Sequence, residues 1–214
     1  MTSTPTPIRE RRNPAFLLAA VFFVATEVQL LVGAFGGLDR FEGKGFATRL
    51  LVNTVLMLAA PAIWILVQRR RTSPQPIPWW PCAVIISSFL FDALGNSLNL
   101  YDGWEPFDNV AHFVTWFLLL WGIGLFIARA DVQPRWVLIV LVTGLGAAIA
   151  VVWEIGEYFT FIQRGIELDG AYEDTLSDQI LGTAGALCAG ILVHTRHRRL
   201  APGGSVVRDP SNTA

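Results

Sequence analysis

Six apolar stretches of membrane-spanning length leave this chain little choice of fold. They run at roughly residues 14–35, 48–68, 79–100, 109–129, 135–160 and 174–194. A helix needs about 20 predominantly apolar residues to cross a bilayer. Mean hydropathy is +0.48. Charged residues make up only 15% of the 214, against roughly 25% in a soluble domain. The fold class that follows is all-α: a polytopic membrane protein built as a six-helix transmembrane bundle. Residues 1–13 read as a cytoplasmic N-terminal tail, 14–195 as one transmembrane domain and 196–214 as a disordered cytoplasmic tail rich in Arg, Gly, Pro and Ser. Arg9, Arg11 and Arg12 precede the first stretch, as in a signal peptide. That stretch is too long for a signal core and no small-residue cleavage site follows, so it reads as a retained helix. Pro61 is expected to kink the second span.

Charge distribution orients the bundle. An even number of spans puts both termini on one side. That side would hold Arg9, Arg11, Arg12, Arg69, Arg70, Arg71, Arg129, Arg135, Arg196, Arg198, Arg199 and Arg208, leaving Arg40, Lys44, Arg49 and Arg164 for the other. Basic residues favour the cytoplasm, so both termini are expected inside a bacterial cytoplasmic (inner) membrane. Trp79, Trp80 and Trp136 then lie at the inner interface, Trp104 and Trp153 at the outer one. Of 17 acidic residues, only Glu10, Asp131 and Asp209 stay inside. No basic block with interleaved aromatics suggests nucleic-acid binding. Cys82 and Cys188 both lie in apolar stretches and read as buried thiols. Neither half of the chain repeats the other, which weighs against a transporter of the inverted-repeat kind.

With that topology, a rise of about 1.5 Å per residue places Glu27, Asp92, Asn96, Asp108, His112, Glu154, Glu157, Asp174 and Asp178 within about 10 Å of the outer surface. Asp92/Asn96, Asp108/His112 and Asp174/Asp178 are i,i+4 pairs and Glu154/Glu157 is i,i+3, spacings that share a helix face. Below them the faces turn small, with Thr143, Ala147 and Ala150 under Glu154 and Gly182, Gly185 and Ala189 under Asp178. Small residues allow close helix approach, so spans five and six are expected to touch. Plainer roles compete with function at several positions. Asp108 and Asp174 each open a helix as an N-cap would. Glu157 suits a solvated helix end, and Glu27 a structural pair. Glu167, Asp169 and Glu173 read as loop surface, Asp102 and Glu105 as turn residues. His112, Glu154 and Asp178 fit the plainer readings least, because ionisable groups at membrane depth are costly and default to function.

The ordered motifs Phe91-Asp92-Ala93-Leu94-Gly95-Asn96, Tyr101-Asp102-Gly103, Asp108-Asn109-Val110-Ala111-His112-Phe113, Trp153-Glu154-Ile155-Gly156-Glu157-Tyr158 and Asp174-Thr175-Leu176-Ser177-Asp178 resemble the YjdF-type family of bacterial inner-membrane proteins. More distantly, the D-x-x-x-H, E-x-x-E and D-then-small-residue pattern is similar to VanZ-like proteins. There Gln often stands in place of Glu157 and Asn in place of Gly182. That similarity implies a cell-envelope role connected with glycopeptide-antibiotic tolerance, and neither resemblance implies an activity.

Three functions follow from the acidic layer. The first is a metal-dependent enzyme acting on an envelope lipid or lipid-linked substrate, so that membrane lipid is the partner. Carboxylates with one imidazole suit Mg²⁺, Mn²⁺ or Zn²⁺. Glu154, Glu157, Asp174 and Asp178 are the candidate metal ligands, with Asp108, His112 and Glu154 as catalytic groups. Glu27, Asp92 and Asn96 complete the polar layer. The second is a proton-coupled or cation-binding transporter or binding protein. The third is a structural partner subunit whose polar network fixes helix register.

Overall fold

The structure, a computed structural model, describes residues 13–130, 132–159 and 170–200, with side chains of the last stretch described to Arg196. The N-terminal Arg9, Glu10, Arg11 and Arg12, the loop residues Asp131, Arg164, Glu167 and Asp169, and the tail beyond 200 lie outside the described residues. Among the described residues, seven α-helices carry the fold: α1 (Pro14–Phe35), α2 (Phe46–Gln68), α3 (Trp79–Ser97), α4 (Leu100–Gly103), α5 (Phe107–Ile127), α6 (Val137–Glu157) and α7 (Ala171–Leu200), with short 3-10 turns at Asp39–Phe41 and Ala128–Ala130. No strand occurs among the described residues.

Five of these helices, α1, α2, α5, α6 and α7, are long and apolar enough to cross a membrane. That is one fewer than the six expected; the exception is α3. Its 19 residues include Ser87, Ser88, Asp92, Asn96 and Ser97, and ten of them are buried. A helix lying between α1 and α5 presents less surface to lipid, so it can carry more polar residues than a peripheral one.

Local signals set the helix ends. Asn13 caps α1 by accepting a hydrogen bond from the Ala15 N–H (3.1 Å), and Pro14 follows it at a position that needs no N–H. The third stretch stops at Ser97 rather than 100. Asn99 takes a left-handed φ of 55°, a conformation Asn tolerates, and α4 begins as a separate turn. Helix α2 continues through Pro61. Helix α7 runs to Leu200, so the tail boundary expected at 195 falls within it. Basic residues at a helix C-terminus complement its dipole, which lets a helix outlast its apolar stretch.

Successive long helices run in opposite directions. Gly33 of α1 lies against Phe46 of α2, Gly95 of α3 against Phe107 of α5, and Gly190 of α7 against Ile139 of α6. Helices α5 and α7 therefore run parallel, with Gly182 at Trp116 and Gly124 at Val193. The main core joins Trp116 and Leu120 of α5, Val142 and Ala150 of α6, and Ala186 and Ala189 of α7. Helices α6 and α7 do touch, through Gly146 against Ala186. Gly182 and Gly185, however, face α5: a Cβ at Gly185 would collide with the Phe113 carbonyl and lie 2.9 Å from the Phe117 nitrogen. Cys82 is buried as expected, whereas Cys188 is exposed on α7. The helix surrounds itself with neighbours on one side only, and Cys188 falls on the other.

Candidate functional site

Alternating helix directions bring the start of α2, α5 and α7 to the same end of the bundle as the close of α3 and α6. Every residue of the expected acidic layer on α3, α5, α6 and α7 lies there. Asp178 is the centre of it. Its side chain is 4% exposed, and its Oδ1 has no hydrogen-bond partner among the described residues. The His112 Nδ1 lies 3.4 Å away but outside hydrogen-bond geometry, and it too is buried without a partner. On the opposite edge of the ring, His112 Nε2 is 3.7 Å from Asp108 Oδ1. One imidazole thus sits between two carboxylates contributed by α5 and α7.

Asp178 also faces α6. Ligand atoms of Asp108, His112 and Asp178 all lie within 4.8 Å of one another, and so do those of Glu154, Glu157 and Asp178. Oxygen ligands stand about 2.0–2.6 Å from Mg²⁺ or Ca²⁺, so two ligands of one ion are separated by no more than about 5 Å. Both groups meet that limit, and Asp178 belongs to both. An unsatisfied buried acceptor is costly, and a cation between these side chains would satisfy it. Thr175 of α7 lies beside the Glu154 carboxylate, and the Trp153 indole beside that of Glu157.

The remaining residues separate from this pair of groups. Asp174 is exposed, one turn before Asp178, and its atoms join neither group. Asp108 is not an N-cap: α5 is capped at Pro106, and Asp108 lies within its first turn. Asp174 likewise falls inside the first turn of α7. Asp92 is held in an ion pair with Arg49 (Nη1 to Oδ2, 3.0 Å) and accepts hydrogen bonds from the Tyr101 hydroxyl (2.7 Å) and the Asn96 amide (3.5 Å). Burial, and then the Asp92 charge, push the Tyr101 phenol above its ordinary pKa, so it stays a donor at physiological pH. Glu27 accepts from Thr54 Oγ1 at 2.8 Å, joining α1 to α2. Asp102 pairs with Lys44. Asp92 and Glu27 are therefore occupied in tying helices together, and Asn96 supports Asp92 from within α3.

Arg49, Tyr101, Thr175 and Trp153 were not among the expected site residues. Arg49 carried a readable signal: it lies inside an apolar, membrane-length helix, where a charge normally turns inward to a partner. Tyr101 and Thr175 had none, since a hydroxyl near a helix end is unremarkable in sequence.

A cavity of about 620 Å³ opens onto this site. Arg49, Asp92, Tyr101, Asp108, His112 and Glu157 line one end; the rest of its wall is mostly apolar.

A family model described as "Predicted membrane protein (DUF2238)" matches residues 16–199. The chain belongs to this family. The YjdF-type resemblance agrees with that membership, and membership covers every helix that contributes to the site. No curated protein and no solved structure matches the chain. The protein is thus a multi-pass membrane protein of a family without an assigned activity.

Proposed function

We propose that the protein is a metal-dependent membrane enzyme whose Asp/Glu/His centre faces the outer headgroup layer and acts on an envelope lipid or lipid-linked substrate. Asp178 carries this reading: one deeply buried carboxylate, with an unpartnered oxygen, belongs to two sets of potential ligands. Asp178, Glu154 and Glu157 hold one divalent ion; Asp178, Asp108 and His112 form the second set. Such an ion supplies Lewis acidity toward a substrate oxygen. The Asp108–His112 pair, nearer the cavity, takes up a proton from an attacking hydroxyl or water. The absence of Cys from both sets favours Mg²⁺ or Mn²⁺ over structural Zn²⁺.

The membrane setting belongs to the same reading. Helix α3 crosses as the sixth span: at about 1.5 Å per residue its length comes to about 28 Å, close to the ~30 Å hydrocarbon layer. Six spans and the excess of Arg around the ends of α2, α5 and α7 put both termini in the cytoplasm and the acidic end outside. A cation channel is supported less, since the cavity wall turns apolar away from Arg49 and Asp108.

Metal content tests the proposal. Protein purified in detergent, incubated with Mg²⁺, Mn²⁺ and Zn²⁺ and then desalted, is expected to retain near-stoichiometric metal by plasma mass spectrometry. Asp178→Asn should lose it, while Asp174→Asn keeps it. Folded wild-type protein without metal above background would sink the reading.

A further inference from the structure

The long cavity has one polar end and an apolar remainder, and its shape follows from how α2 is held. Near the acidic end α2 is clasped by Arg49 on Asp92 and Thr54 on Glu27. Toward its far end Trp64 meets Phe126 of α5, ring centroids 5.7 Å apart, and Arg129 lies over the same indole at 5.7 Å. Between these clasps α2 packs on α1 and α3 through the buried Met57, but it stands away from the middle of α5. Leu56, Ala59, Ala60 and Ile63 form one wall, and Leu119 and Ile123 of α5 stand on the other. Leu56 and Ile63 are exposed there, at 41% and 59%.

We infer that this groove holds the apolar chain of a lipid whose phosphate headgroup rests between Arg49 and the Asp/Glu/His centre; the headgroup assignment rests on the metal reading above. Three observations converge. From Arg49 to Val67, both lining the cavity, α2 rises about 27 Å at 1.5 Å per residue. That exceeds a single leaflet of about 15 Å, so the groove suits one long extended chain. Its volume of about 620 Å³ falls in the range of small-ligand sites, about 300–1,000 Å³, and has room for one such chain. Third, Arg49 uses Nη1 on Asp92 and Nε on the Lys44 carbonyl (3.1 Å), which leaves its other amino group for an anion. A phosphate there would have a guanidinium on one side and, on the other, a cation held by Asp178. An apolar gap of this size forfeits contacts when empty, so the groove binds the chain and the centre binds the head.

The test uses a lysophosphatidic acid with a diazirine at the end of its single chain. After irradiation with purified full-length protein, labelled peptides are mapped by mass spectrometry with Mg²⁺ or with a chelator. The expected labels fall on Ala59–Ile63 of α2 and Leu119–Ile123 of α5. Ala59→Trp and Ala60→Trp, each filling the groove, should reduce them several-fold. An amine-headed lipid with the same tail should label the groove several-fold less. Groove labelling that survives chelation with undiminished yield keeps the tail site but overturns the metal reading. Equal labelling by the amine overturns the phosphate assignment. Labels spread over outward faces of α1 and α6, or unchanged in both Trp variants, overturn the groove itself. Should either variant fail to fold, the wild-type label map decides alone.

Discussion

Asp92 and Asp178 are both acidic residues at the same end of the bundle, yet their surroundings assign them opposite roles. Asp92 has Arg49, Tyr101 and Asn96 around it. Removing one charged partner leaves a half-buried carboxylate unpaired, so Arg49→Met should cost about 1.5–3 kcal/mol. The double variant Arg49→Met/Asp92→Asn is expected to lose less than the sum of the two singles in thermal unfolding, because both lose the same interaction. Additive losses would mean that the pair is not coupled. Asp178 Oδ1 has no hydrogen-bond partner among the described residues. Thr175→Val removes the hydroxyl that lies beside Glu154. Outer-shell losses of this kind typically weaken metal binding 10–100-fold, so a Mn²⁺ titration should show a drop of about that size at unchanged unfolding temperature. The two acids differ in a way their spacing hid. Asp174 and Asp178 share a helix face, yet one is exposed and the other enclosed.

At the scale of elements, close helix approach fixes where the ligands meet. Gly185 has backbone of α5 where its Cβ would be, and backbone cannot swing aside as a side chain can. Gly185→Ala should therefore push α5 from α7 and destabilise by about 1–3 kcal/mol, with some loss of metal binding, since His112 and Asp178 sit on those two helices. Gly144 has open space in that direction. Gly144→Ala should be neutral or stabilise by about 0.5–1 kcal/mol through helix propensity. Thermal unfolding in one detergent compares the two; equal effects would mean that helix contact at Gly185 does not limit stability. The sequence pointed to small faces below the acids but not to their partners. Glycines at 182 and 185 read as a contact surface for α6, and the structure turns them to α5, because Ala186 and Gly190 lie around the helix toward α6.

For the whole molecule, the prediction concerns topology. Alkaline phosphatase, active only outside the cytoplasm, should be active when fused in the α1–α2 connection near Gly43 and after Gly103, and inactive when fused near Pro74 or at the C-terminus. Activity near Pro74 as well as at Gly103 would mean that α3 does not cross. Inverse signals throughout would place the acidic end inside. Length alone leads to an expectation of six spans, and five helices are long and apolar enough to cross. Helix α3 falls short because its central place lets polar residues replace lipid-facing ones.

The sequence by itself determined an all-helical membrane protein, most helix ends to within a few residues, and a shared acidic level, because apolar length and a rise of 1.5 Å per residue are local properties. His112, Glu154 and Asp178 could be singled out on the same grounds. Which acids are neutralised and which are left waiting was decided only in three dimensions. The pairing of Arg49 with Asp92 joins residues 43 positions apart, and the meeting of His112 with Asp178 depends on glycines that let α5 and α7 run side by side. The groove beside α2 is legible nowhere in the chain, since it is a gap left where α2 packs on α1 and α3 but not on the middle of α5.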